Sequence, residues 1–200
     1  MAKTENKILQ KARELFSCKG YHSASIREIA KKAGVNVASI NYHFGSKENL
    51  LLTVMETGHQ QMSDEFSKIV VSNKTITFRQ LSIELLHLFL AKKDLIIPIF
   101  RLVLLHERLD LKDFWKKNRP HFPFGIIHFQ EVLKREIGHD IKEKDIFWAV
   151  HVVNVQILHL ILMIESGHAE GPIIGNLFGK NFAEEVMVAV ADSILEHLSK

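Results

Sequence analysis

Ser25-Ile26-Arg27-Glu28-Ile29-Ala30-Lys31-Lys32-Ala33-Gly34-Val35-Asn36-Val37-Ala38-Ser39-Ile40-Asn41-Tyr42-His43-Phe44-Gly45 reads as two short helices around a tight turn. Ser25 and Glu28 stand three residues apart in the form of a capping box, which starts a helix by reciprocal hydrogen bonds to orphan amides. Gly34 supplies the backbone freedom that a four-residue turn over Ala33-Gly34-Val35-Asn36 demands. Asn36 can cap the next helix, residues 37–44, and Gly45 stops it.

Outward from this stretch, the same grammar repeats. Residues 4–19 place Ile8, Ala12, Leu15 and Phe16 on one stripe and end at Gly20, which predicts a preceding helix. Ser46 restarts the chain as a long fourth helix, expected to reach Val70, with residues 71–75 as a linker. Thr77-Phe78-Arg79-Gln80, Asp140-Ile141-Lys142-Glu143 and Asn181-Phe182-Ala183-Glu184 each set a capping side chain three residues before Gln or Glu, and each predicts a helix start. Pro98 fits near the start of a helix reaching about Leu109, residues 119–123 read as a break, and the glycine-rich residues 167–179 read as a loop. Period-two alternation is missing throughout, so the expected class is all-α.

The bulk composition admits a full core: 200 residues, 46% hydrophobic. The net charge of +3 is unevenly spread, since residues 1–50 hold 9 Lys and Arg against 4 Asp and Glu. A basic end of this kind suits a polyanionic partner, and equally a solvated face. Cys18 is the single cysteine, which excludes an internal disulfide framework and fits a reducing, cytoplasmic setting. The first residues carry no signal-peptide run. No membrane span is expected, because residues 152–164 are short and interrupted by Asn154, Gln156 and His159, and residues 85–105 are cut by Lys92-Lys93-Asp94.

Three short helices, the second and third joined by a glycine-containing turn, match the helix-turn-helix arrangement, whose last helix enters the major groove of DNA. At 100° per residue, Ile40 and Phe44 fall together toward the three-helix core. Ala38, Ser39 and Tyr42 face largely the other way, with Asn41 beside them. On that second face Asn41 suits an adenine edge, while Val37 suits either a thymine methyl or the core. Asn36, at the head of the helix, completes the candidate contact set.

Ile26-Arg27-Glu28-Ile29-Ala30, Ala33-Gly34-Val35 and Tyr42-His43-Phe44-Gly45-Ser46-Lys47-Glu48-Asn49-Leu50 closely resemble the N-terminal signature of the TetR family of repressors, over about 50 contiguous residues. The resemblance implies an N-terminal DNA-binding domain over residues 1–48, and a helical effector-binding and dimerisation domain over residues 49–200. It implies that Tyr42, His43 and Lys47 hold the phosphate backbone of double-stranded DNA. Ser25 then serves as a phosphate contact, a helix cap, or both. The sequence departs from the family at Asn41, where an aromatic residue is common, which bears on the operator sequence and not on the fold. Lys31 and Lys32 read as solvated surface charges able to add non-specific attraction.

An effector site between the fourth helix and the middle helices is also implied by the resemblance. Its candidates are His59, Met62, Phe66, His87 and Phe100, together with Leu104, His128, Phe129, His151 and Asn154; a Met or Phe at helical spacing is also ordinary core. Residues 145–164 are apolar nearly all round, and residues 182–198 carry two apolar stripes: Phe182, Val186, Ala189, Val190 and Ile194, then Val188, Ala191, Leu195 and Leu198. Both helices therefore need covering on two sides, and a four-helix bundle with a twofold mate would do so.

The chain has 12 histidines, and His151 and His159 fall two turns apart on what should be one buried face. Their separation of about 12 Å along the axis is too long for a usual helical metal pair, so satisfied core histidines are expected and no metal is assigned. No cofactor pattern is present either: HExxH, a nucleophile elbow, a glycine-rich phosphate loop and clustered cysteines are all missing, which argues against an enzyme. The expected activity is release of a repressor from a palindromic operator by a small molecule. The alternative is a helix-turn-helix protein without effector control.

Overall fold

The computed structural model describes residues 3–97, 123–138, 141–165 and 181–200, and among them there are helices and no strands. The helices are α1 (Lys3–Lys19), α2 (Ile26–Ala33), α3 (Val37–Phe44), α4 (Lys47–Ser72), α5 (Phe78–Ala91), α6 (Ile126–Ile137), α7 (Glu143–Glu165) and α8 (Phe182–Leu198). The all-α reading holds. The expected helix after Pro98, the break at residues 119–122, the Asp140 cap and the loop at residues 167–179 lie outside the described residues.

Side-chain capping explains the starts of α2, α3, α4 and α5, with two corrections to the expected pattern. Thr77 and Gln80 make the full reciprocal box, Gln80 N–H donating to Thr77 Oγ1 at 3.2 Å and Thr77 N–H to Gln80 Oε1 at 3.0 Å. At α2 the box is half made: Ser25 Oγ accepts from Glu28 N–H at 3.1 Å, but the Glu28 carboxylate goes to Lys19 Nζ at 2.6 Å. Asn181 makes no side-chain cap bond at all, and Glu184 pairs with His87 Nε2 at 2.8 Å instead. In both cases a side chain on another helix, the Lys19 ammonium or the His87 ring, takes the carboxylate from the amide of its own helix, and a bond to a charged carboxylate is of the stronger kind. Ser46 Oγ accepts from Asn49 N–H at 3.0 Å and starts α4, which ends at Ser72 rather than Val70.

Two compact units divide the chain: Met1–Met62 with Lys92–Lys117, and Ser63–Ala91 with Asn118–Lys200. In the first, Ile8, Leu15 and Phe16 of α1 and Ile29 of α2 pack with Ile40 and Phe44 of α3 and with Leu50, Leu51, Val54 and Met55 of α4. Each such side chain contributes about 1.5–3 kcal/mol by leaving water, so the short helices are held by this shared core rather than by propensity. Arg13 and Asp94 form an ion pair at 4.0 Å, and Ser17 Oγ donates to the Asp94 carbonyl at 3.1 Å.

In the second unit α8 packs on α5 and α7, and α6 packs on α5 and α7. Arg79 and Asp192 form an ion pair joining α5 to α8. Gly125 precedes α6 at φ +82°, and a Cβ there would stand 2.8 Å from the Phe66 ring, so glycine alone lets the chain pass that ring.

α7 departs from expectation in two respects. It runs 23 residues, longer than the segment judged too short, and by length and composition alone it could cross a membrane. Ile146, Ala149, Val150, Val153, Ile157, Leu160 and Ile161 are nevertheless buried in the unit's own core. His151 and His159 both fall on the exposed side and not on the buried face. A helix apolar on nearly every side does not reveal which stripe its own core will take, and the core took the stripe opposite His151. On α8 the buried stripe is Met187, Ala191, Ile194 and Leu198, which draws on both of the stripes read from the sequence.

Candidate nucleic-acid interface

The α2 to α3 turn is built from its backbone outward. Gly34 adopts φ +66°, its N–H donates to the Lys31 carbonyl at 3.3 Å, and Val35 N–H donates to the Ala30 carbonyl at 3.0 Å. These bonds satisfy the last carbonyls of α2 and swing the chain into α3. Asn36 Oδ1 then accepts from Ser39 N–H at 2.7 Å and from Ser39 Oγ at 2.9 Å. The cap fixes the rotation of α3 about its axis.

Ile40 and Phe44 point into the core, as the helical spacing predicts. Ala38, Asn41 and Tyr42 are exposed, Ser39 and His43 half-buried, and Tyr42 is 87% exposed. Val37, read from the sequence as core or contact, is 37% exposed and so lies on the outer side. A tyrosine this exposed gains little from its own fold, which is unusual for so large an apolar ring. Its neighbour His43 meets it edge-on, with ring centroids 5.3 Å apart.

Ser25, Arg27, Lys31 and Lys32 are exposed on α2. Lys47, at the head of α4, holds its ammonium 4.3 Å from the Tyr21 ring centroid and 3.4 Å from the His22 carbonyl oxygen. Tyr21 is a residue that the sequence reading did not single out; its only signal was an aromatic directly after the helix-ending Gly20.

The effector candidates are partly gathered. In the second unit Phe66 meets His128 at 5.5 Å and Phe129 at 5.8 Å between ring centroids. Ser67 Oγ lies 3.0 Å from His128 Nε2. Burial pushes the His128 imidazole below its ordinary value, against a smaller opposing pull from Glu131. Asn154 Nδ2 donates to the Phe124 carbonyl at 3.0 Å and the Val150 carbonyl at 2.8 Å. His87 and His151 are exposed, His87 beside Glu184 and His151 stacked on Phe147. His59 and Met62 belong to the first unit, while Phe100 and Leu104 lie outside the described residues. Ser67 and Phe124 were not foreseen, because both are local neighbours of stronger candidates. Among the described residues no group of three metal-ligating side chains occurs.

Comparison with known proteins bears on this geometry. Residues 8–54 match the family model for bacterial regulatory proteins of the tetR family. The Bacillus subtilis HTH-type transcriptional regulator YttP is 50% identical over 48 residues, 24% of this chain and 23% of that protein. QacR of Staphylococcus aureus, also an HTH-type transcriptional regulator, is 32% identical over 71 residues, 36% of this chain and 38% of its own length. The matched stretch thus spans well under half of the curated relatives. Solved structures match over nearly the whole chain. A transcriptional regulator from Saccharomonospora viridis in complex with choline has a TM-score of 0.69 at 18% identity, covering 98% of this chain and 97% of that one. The TetR-family regulator PfmR from Thermus thermophilus has a TM-score of 0.63 at 20% identity, with coverage of 98% and 97%. At these identities the likeness is one of fold.

Proposed function

We propose that the chain is a DNA-binding transcriptional regulator, a repressor freed from a palindromic operator by a small molecule, a reading supported by the match of residues 8–54 to the tetR-family model and by the likeness of its fold to solved regulators. The observation that carries this reading is the outer side of α3. A helix anchored from behind by Ile40 and Phe44 leaves Val37, Ala38, Asn41 and Tyr42 uncovered on a rigid base. Ser25, Asn36, Ser39, His43 and Lys47 complete the contact set, with phosphate for Ser25, Tyr42, His43 and Lys47 and base edges for Asn41. The DNA-binding domain is placed at residues 1–48 and the effector-binding and dimerisation domain at residues 49–200.

Support for a homodimer comes from α7. Phe147, Trp148, Val155, Leu162 and Ile164 are exposed, more large apolar side chains than any other described helix leaves in water. Trp148, Val155 and Leu162 repeat every seven residues, the spacing of a helix-packing seam. With α8 they form the face for a twofold mate, which would hold two recognition helices roughly 34 Å apart. Effector control is favoured over its absence by the aromatic cluster of Phe66, Phe124, His128 and Phe129, with Asn154 of α7 donating to the Phe124 carbonyl, an apolar setting with a few directed polar groups. One structural neighbour was solved with choline. No catalytic role is assigned, and the protein is placed in the cytoplasm.

The test is selection of bound duplexes from random DNA, repeated with candidate small molecules. Enrichment of a palindrome that a ligand abolishes is the expected result. Recovery of no preferred sequence would overturn the regulator reading, and a palindrome indifferent to every ligand would favour the reading without effector control.

A further inference from the structure

Lys47 is a residue whose flexible stem ought to sweep solvent, and it does not. Its ammonium stands over the face of Tyr21 at 4.3 Å from the ring centroid and within 3.4 Å of the His22 carbonyl oxygen. The Tyr21 ring is itself fixed, packed against the first unit's core with Phe16 at 5.9 Å between centroids. A lysine carries large rotamer freedom, and holding its ammonium against a ring quadrupole and a carbonyl dipole removes much of that freedom before any partner arrives. We infer that Tyr21 is a positioning residue for DNA binding: it pre-orders the Lys47 ammonium so that a phosphate meets a charge already in place. This rests on the reading of Lys47 as a phosphate contact. Preorganisation acts on affinity by lowering the ordering cost of binding.

A ring that only filled space in the core would act through folding, independently of Lys47. The experiment measures binding of a random-sequence duplex at several salt concentrations to the full chain and to Tyr21→Phe, Tyr21→Leu, Lys47→Met and the Tyr21→Leu/Lys47→Met double variant. Tyr21→Phe keeps the π face and is expected to bind as the unsubstituted chain does. Tyr21→Leu is expected to bind about two- to five-fold more weakly. Lys47→Met should lower the salt slope by about one, and adding Tyr21→Leu to it should cost nothing more. Equal losses from Tyr21→Leu with and without Lys47 would overturn the inference. So would a Tyr21→Phe variant as weak as Tyr21→Leu.

A second measurement needs neither DNA nor a leucine variant that folds. In the free chain the Lys47 ε-methylene protons should be ring-current shifted upfield, and equally so in Tyr21→Phe; random-coil shifts would overturn the pinning itself. An unchanged salt slope in Lys47→Met would instead overturn the phosphate role on which the inference rests, so the two failures are told apart.

Discussion

Glu28 Oε1 lies 2.6 Å from Lys19 Nζ, so the carboxylate three residues after Ser25 ties α2 to the end of α1 instead of closing back on the Ser25 amide. Ser25 Oγ is then the side-chain group left to cap α2, through its bond to Glu28 N–H. Ser25→Ala should destabilise the protein by about 1 kcal/mol, a fall of about 2–4 °C in melting midpoint by calorimetry. The Lys19 hydrogen bond holds the Glu28 carboxyl below its ordinary value. Its stabilising contribution is therefore present above the carboxylate range and disappears as pH falls through the lowered value. Glu28→Gln should flatten that acid limb, and a variant with an unaltered limb would refute the assignment.

Tyr42→Ala separates binding from folding. The ring is 87% exposed, so thermal stability should shift by no more than about 0.5 kcal/mol. Affinity for a selected operator should drop at the same time. Ile40→Ala is the opposite case, a fully buried side chain whose loss should cost about 2–5 kcal/mol and take DNA binding with it. Parallel melting and gel-shift titrations decide both.

A charge on the outer side of α7 should dissociate the proposed dimer. Val155 is 50% exposed in the single chain, so Val155→Glu should leave the fold of a monomer intact while burying an unpaired carboxylate in a bundle interface. Sedimentation velocity is expected to show a shift from dimer to monomer with unchanged helical circular dichroism. A variant that sediments like the unsubstituted chain would place the twofold elsewhere.

His128 predicts an acid-sensitive term. Burial depresses the imidazole value in the folded chain, so the unfolded chain binds the extra proton first and stability declines as pH falls below the ordinary histidine range. The imidazole is half-buried and keeps some contact with solvent, which keeps the effect small. His128→Gln should remove it, seen as a flatter plot of melting midpoint against pH between neutral and mildly acid conditions.

Much of the outer side of α3 was legible because local rules and tertiary packing agree there. Gly34, Asn36 and the Ile40/Phe44 pair each have one low-energy role, and the structure assigns them that role. Legibility fell where two partners competed for one group. Glu28 and Glu184 carry the capping pattern, yet both answer to a cation or imidazole on another helix, information absent from any local window. His151 and His159 were misplaced for a different reason: α7 offers apolar residues on every side, and only the neighbouring helices decide which side turns inward.

The bond between Ser39 Oγ and Asn36 Oδ1 limits what the proposed recognition helix could ask of a base. With its proton directed at Asn36, the Ser39 oxygen presents only lone pairs outward. Were α3 to enter a major groove as proposed, the matching donors would be the exocyclic amino groups of adenine and cytosine, and guanine and thymine would offer this hydroxyl nothing.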